Sequence, residues 1–334
     1  MDLLGIVDYL VGFAIMAGIY AVFALGLNVH WGFTGLFNIG IAGFFALGAY
    51  TAALLTTSSP DAAQFEDFAF AGNWSNLPLL DWGVDAWYVM GLAAAALCCG
   101  LVALPVGYVT LRLRDDYLAI ATLGIAETVR LVFLNEKWLA NGSKGLYRIP
   151  EFLGDVVSPG AYDYLYLPVV LVVLAVVFVA VQTAVRSPWG RVLRAIREDE
   201  TAAAASGKDV FRFKLQAFVL GAMIMGVGGA LFAHHVRFLA PITFDPLLAT
   251  FVIWAMLMVG GSGNNWGAVL GAFVVWGIWS GTQFLPGPLG EPSFRLFMIG
   301  VLIVSVIVLR PGGMLGEERR TARGAPQAQA VGEG

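Results

Sequence analysis

Charge is scarce in this chain of 334 residues: Asp, Glu, Lys and Arg make up 13%, about half the roughly 25% of an average soluble domain. With 59% hydrophobic residues and a mean hydropathy of +0.78, the composition excludes a soluble globular protein and indicates a membrane one. Cysteine is nearly absent. Cys98 and Cys99 are adjacent inside an apolar stretch, which excludes a disulfide framework and a metal-ligand spacing and leaves them as small apolar filler. The three histidines, His30, His234 and His235, have no carboxylate or thiolate nearby in sequence to form a metal site, and His234 and His235 are expected just beyond a span, at the interface. No G-x-x-x-x-G-K-[ST] loop exists, since Gly207-Lys208 is followed by Asp209, so the chain is not expected to hydrolyse ATP itself. Gly260 to Gly263, reading GGSG, joins two hydrophobic runs and is expected as a tight turn. Paired carboxylates and a nucleophile with its base are also missing, so neither an intramembrane enzyme nor a bound cofactor is expected. The opening decapeptide MDLLGIVDYL has two aspartates and no basic residue, unlike a cleavable signal, so its hydrophobic run is expected to remain.

What the chain has in abundance is long uncharged runs. Tyr164 to Val185 is 22 residues without a charge and Ala86 to Leu111 is 26. Each can cross a hydrocarbon core of about 30 Å at 1.5 Å per helical residue. Similar runs lie at Tyr9–Val29, Phe33–Thr57, Leu215–Ala233, Pro246–Gly261, Trp266–Pro286 and Leu296–Leu309, and the mixed segment Tyr117–Leu134 brings the expectation to about nine spans. The fold class is therefore an all-α polytopic membrane protein. Residues 1–315 read as one membrane domain, and 316–334 as a disordered tail too polar to bury surface.

Basic residues are retained on the cytoplasmic side of a membrane, and here they segregate. Thirteen arginines and lysines fall in loops of one face, against Lys137, Lys144, Arg148 and Arg237 on the other. The Ser58–Asp85 loop is acidic without a basic residue, which places it outside. Nine spans then put the N-terminus outside and the C-terminus in the cytoplasm.

Glycines mark two regions. Gly263, Gly267 and Gly271 recur every four residues, a stripe that lets another helix approach closely, within this subunit or at a subunit interface. The string GLNVHWGFTGLFNIG sets Asn28, His30, Thr34 and Asn38 among glycines. Two readings fit it: a broken helix lining a translocation cavity, or a short cytoplasmic turn between two spans. Glu127 and Arg130 stand three residues apart on one helix face within a span. They read as a structural ion pair or as an element of the pathway, because charges at membrane depth pair and face protein or water.

One charged, helical insert interrupts the apolar chain at about residues 187–211. In its opening part, Trp189, Val192, Leu193 and Ile196 share a face, with Arg191, Arg194, Arg197, Glu198, Asp199 and Glu200 around the rest. A helix lying on anionic lipid would look the same. The small residues that follow, Ala202 to Ala205 and Gly207, suit instead a close-packed surface that seats in a partner's groove.

Several separated strings together resemble the membrane permeases of branched-chain amino acid ABC importers, the LivM type, over nearly all of residues 10 to 312. They are GLNVHWGFTGLFNIG with FFALGAYTA, TLGIAETVR, NGSKGL, SPWGRVLRAIREDETAAAASGKDVFRFKLQAFVLGA and VGGSGNNWGAVLGA. The resemblance implies an ABC importer permease fold and a chain that makes no covalent bond. It would move branched-chain amino acids or related small polar solutes across a bacterial or archaeal inner membrane. The implied partners are a second homologous permease, two cytoplasmic ATP-binding subunits, an extracytoplasmic solute-binding protein and the lipid bilayer, with no nucleic acid. Residues 187–211 would be the coupling segment, with Arg197, Glu200, Ala203 and Gly207 engaging the ATPase. Gly207 follows Glu200 by seven positions where importers in general have six, a spacing that looks normal for this subfamily. The opposing expectation is a self-sufficient secondary transporter or channel with Glu127 as its ion-coupling site.

Overall fold

The computed structural model describes residues 3–57, 84–151, 161–287, 291–310 and 312–316. The expected tail beyond Gly316 and nearly all of the Ser58–Asp85 loop lie outside the described residues. The described chain is almost wholly helical: α1 (Leu3–Leu27), α2 (Ile41–Thr56), α3 (Val84–Thr110), α4 (Asp115–Asn135), α5 (Lys137–Ala140), α6 (Tyr162–Arg186), α7 (Pro188–Glu198), α8 (Glu200–Ala205), α9 (Val210–Val236), α10 (Pro246–Gly260), α11 (Asn265–Gly281) and α12 (Pro292–Leu309). Six of these, α1, α3, α4, α6, α9 and α11, are long and apolar enough to cross a membrane, and α2, α10 and α12 are shorter apolar helices. Helices α1, α2 and α9 form the buried centre, with Ile15, Ile19, Phe23, Phe45, Ala49 and Phe218 among the residues that lose nearly all exposure.

Between apolar helices in lipid no hydrophobic gain drives association, so close backbone approach and dispersion must hold them. Glycine provides that approach. At the α2–α9 crossing, Gly48 lies directly on the Gly226 backbone, and a Cβ at Gly229 would sit 2.5 Å from the Phe45 carbonyl. At the α10–α11 crossing a Cβ at Gly267 would meet the Gly260 carbonyl at 2.7 Å, and Gly271 lies against the Met256 carbonyl. The four-residue glycine stripe therefore packs inside this chain. Cys99 is buried on α3, its thiol 3.4 Å from the Phe44 carbonyl, and both cysteines are free.

Several boundaries differ from the expected runs, α1 beginning at Leu3 and α12 at Pro292, and two of the differences have a visible local cause. The span expected from Phe33 begins only at Ile41, because α1 continues as a π-helical turn over Asn28–Phe33 and residues 35–39 are irregular, with Gly35 at positive φ. The polar residues and glycines of this string mark a break, but hydropathy alone does not fix where the next helix begins. Helix α9 begins at Val210 rather than Leu215 because the Asp209 carboxylate caps it, accepting from the Arg212 amide at 3.2 Å. At its other end His234 and His235 form the last turn instead of lying beyond it. His234 is 2% exposed, its ring against Tyr88, with Nε2 3.4 Å from the Thr56 hydroxyl. The Gly260–Gly263 turn is tight, with Gly261 and Gly263 both at positive φ. Residues 312–316 close over it: Met314 and Leu315 donate to the Val259 and Gly260 carbonyls at 2.9 and 3.1 Å. At the far end of the bundle, Leu146–Tyr147 (β1) pairs antiparallel with Phe238–Leu239 (β2).

Candidate functional site

Three groups of residues carry polarity into this apolar bundle. The first is the break after α1. A π turn leaves carbonyls and amides that an α-helix would pair, and burial forbids leaving them to water. Side chains from the same string meet that need. Asn28 accepts from the Gly263 amide at 2.8 Å and donates to Asn265 Oδ1 at 2.9 Å. His30 stacks on Phe218, with Nε2 2.8 Å from the Phe218 carbonyl and Nδ1 3.1 Å from Asn38 Nδ2. Thr34 donates to the Val29 carbonyl at 2.8 Å, and Asn38 Oδ1 accepts from the Gly40 amide at 2.7 Å. All four side chains are buried. The string thus makes a protein-satisfied knot that joins α1, α9 and the α10–α11 turn, and the Ile39 amide reaches α4 through the Thr122 hydroxyl at 3.1 Å.

The second group is on α4. Leu118, Thr122, Ala126 and Phe133 face the bundle, and Tyr117, Ile120, Gly124, Glu127, Thr128 and Leu131 stand on the opposite side. The Glu127–Arg130 pair expected from the spacing is formed, Arg130 Nε donating to Glu127 Oε2 at 2.8 Å. It is not enclosed: the side chains keep 38% and 20% of their exposure.

The third group is α7–α8. Ser187 caps α7, accepting from the Trp189 amide at 3.2 Å, with Pro188 at the first helical position. Asp199 breaks the two helices apart and caps α8, accepting from the amides of Thr201 and Ala202 at 2.9 and 3.0 Å. Those donors, the Thr201 hydroxyl first, hold its carboxyl below the usual carboxylate range. The apolar face of α7 is partly covered by the chain itself: Leu193 enters the main core and Ile196 packs with Ala203 and Val210, while Trp189 and Val192 are half-buried. Arg197 turns inward and donates to the Gly32 carbonyl in the π turn. Glu200 pairs with Lys214 on α9, Ala203 is buried, and Gly207 ends α8 at φ +75° with open space around it. A groove of about 580 Å³ runs along this segment, lined by residues that include Arg191, Ala195, Asp199 and Lys208. Sequence reading missed the Arg197–Gly32 and Glu200–Lys214 contacts, because partners 165 and 14 residues apart leave no local signal.

A helical bundle with six helices long and apolar enough to cross a membrane among the described residues, a buried broken segment and a capped two-helix insert is the architecture of a polytopic membrane protein, and comparison with known proteins gives its family. Residues 9–307 match the family described as branched-chain amino acid transport system / permease component, and the chain belongs to it. It is 34% identical to the high-affinity branched-chain amino acid transport system permease protein LivM of Salmonella typhimurium, covering 97% of this chain and 73% of that one. The LivM protein of Escherichia coli is also 34% identical, over 91% and 69%. A probable branched-chain amino acid transport permease protein LivM of Methanocaldococcus jannaschii is 26% identical over 90% and 91%. More distant similarity extends to a fructose import permease protein of Rhizobium meliloti, 27% identical over 66% of this chain and 61% of that one. No solved structure matches.

Proposed function

We propose that this chain is one of two membrane permeases in an ATP-driven importer of branched-chain amino acids, working with two ATP-binding subunits in the cytoplasm and a solute-binding protein outside. The observation that carries the reading is the family match across residues 9–307, which takes in every long helix of the bundle. The single permease domain runs to about residue 315, in an inner membrane, with the N-terminus outside and the C-terminus and α7–α8 in the cytoplasm.

Residues 187–211 are the coupling segment on this reading. Glu200 and Gly207 lie on its outer surface, and Ala203 and Arg197 anchor it to the permease. Its support is a short helix pair anchored to the bundle by Leu193, Ile196 and Ala203, which leaves Gly207 and the exposed charged residues of α7–α8 open to a partner. The pathway runs beside the outward face of α4, where Glu127 and Arg130 meet water and the second permease in place of lipid. The knot of Asn28, His30, Thr34 and Asn38 shapes its cytoplasmic end through the contact with Thr122. A proton-coupled carrier built on Glu127 is disfavoured, because Arg130 already engages that carboxylate with a charge-assisted bond.

Reconstitution with the ATP-binding subunits and the solute-binding protein tests the function. Labelled leucine, isoleucine and valine should enter vesicles only with ATP, and better than urea, short amides or fructose. Uptake without ATP, or driven by a proton gradient, would return the secondary carrier. Glu200→Ala and Gly207→Asn test the segment, asparagine being chosen because it tolerates positive φ. Both variants should insert normally and lose uptake per ATP hydrolysed. Unchanged coupling in both would remove 187–211 from the ATPase contact.

A further inference from the structure

The broken turn after α1 gathers several of the bundle's long-range polar contacts. Asn28 ties it to Gly263 and Asn265, and His30 ties it to Phe218. One contact arrives from outside the bundle. Arg197, one residue after the Ile196 anchor of α7, sends its guanidinium to the carbonyl of Gly32, the fifth residue of the π turn. Its side chain is four-fifths buried, although its neighbours Glu198 and Glu200 are exposed.

The turn is shaped to receive it. Gly35 stands at φ +78°, where an L side chain is strained, and a Cβ there would lie 3.1 Å from Arg197 Cγ. Gly32 cannot take a side chain either, since its Cβ would overlap Asn28 and sit 2.5 Å from the Gly263 amide. Gly35 thus keeps open the space that the arginine stem occupies, Gly32 lets Asn28 and the Gly263 amide close on the turn, and the π geometry presents the carbonyl that the arginine head reaches. A fixed cationic fork on a helix that is itself braced by Leu193 and Ile196 makes a stiff strut between that helix and the break.

From this geometry we infer that Arg197 is a positioning residue that ties α7 to the π turn, so that displacement of α7 is passed directly to the broken segment and through Asn28 to the α10–α11 turn. It acts on the permease side of the coupling segment and makes no contact with the ATPase. The inference deepens the proposed function and rests on α7–α8 being the segment that the ATP-binding subunits move.

The experiment uses the whole complex. Hydrogen–deuterium exchange is followed in peptides covering residues 28–40 with and without a non-hydrolysable ATP analogue, and uptake is measured in parallel. In the unaltered complex the analogue should change exchange in these peptides. In Arg197→Gln the ATP-binding subunits should still copurify, the nucleotide-dependent change should vanish, and uptake should fall about tenfold or more, as expected for loss of a charge-assisted bond. Arg197→Lys, which keeps a cationic donor, should recover part of both. Exchange in 28–40 that ignores nucleotide in the unaltered complex overturns the inference, and this measurement stands even if the glutamine variant does not accumulate. So does an Arg197→Gln variant with full uptake, one that keeps the nucleotide-dependent exchange change, or one from which the ATP-binding subunits no longer copurify. Should the unaltered chain bind no ATP-binding subunits, the functional reading itself falls and takes the inference with it.

Discussion

Helices α6 and α4 both leave one side of the bundle uncovered, and the two sides are made differently. On α6 the exposed positions at mid-helix are Leu171, Val172, Ala175, Val176 and Val179, with Val176 64% exposed. That is the surface lipid tails accept without desolvating anything. On α4 the exposed positions include Ile120 at 68%, but also Gly124 and Thr128, with Glu127 half-buried between them. Equal exposure therefore does not mean equal surroundings. An uncovered valine face is complete as it stands, and an uncovered charged pair requires a neighbour or water that a lone chain does not have. The water-exposed α8 completes the series, because there polar groups are solvated whether or not a partner is bound.

The largest expected effect comes from placing a charge on the lipid-type face. Val176→Asp on α6 should sharply reduce inserted protein, since an aspartate near a span centre costs about 3 kcal/mol on insertion scales. Membrane-fraction abundance of a tagged chain measures it, and normal abundance would show that α6 meets protein rather than lipid.

The next effect is on α4 and is intermediate in size. Glu127→Ala strands the Arg130 guanidinium and should lower abundance less than Val176→Asp does, because the pair is only partly enclosed. Replacing both by leucine separates the two possible neighbours. Abundance should return to normal and uptake should stay low if this face meets water and a second permease. Full uptake in the double variant would make α4 an ordinary lipid face.

The smallest effect belongs to α8. The Asp199 carboxyl is held below its usual range by the Thr201 hydroxyl and the α8 amides, so the unfolded chain takes up its proton first. The cap's stabilisation is whole above the unfolded pKa, near 4, and is lost as pH falls through the lower folded value. Asp199→Ala should slightly speed amide exchange in α8 at neutral pH, and the difference from the unaltered chain should shrink below about pH 4. A gap that persists in acid would mean that the aspartate does not cap this helix as an anion.

Composition and run length were enough to read a helical membrane protein, because a span must be long and apolar whatever packs around it. The Glu127–Arg130 pair was legible because its three-residue spacing is fixed by the helix alone. So was the two-faced character of α7, whose period can be counted. The sequence could likewise show that Asn28, His30, Thr34 and Asn38 stand among glycines. It could not choose between a cavity wall and a turn, since that depends on where Gly263, Asn265 and Phe218 arrive from more than 180 residues away. The same holds for His234, placed inside α9's last turn by Tyr88, and for Arg197, turned toward Gly32 by the anchoring of α7. Local order follows from backbone periodicity and hydropathy, which neighbours in sequence determine. Which polar groups satisfy one another, and which faces remain bare, is decided only when distant helices close on glycine-lined seams.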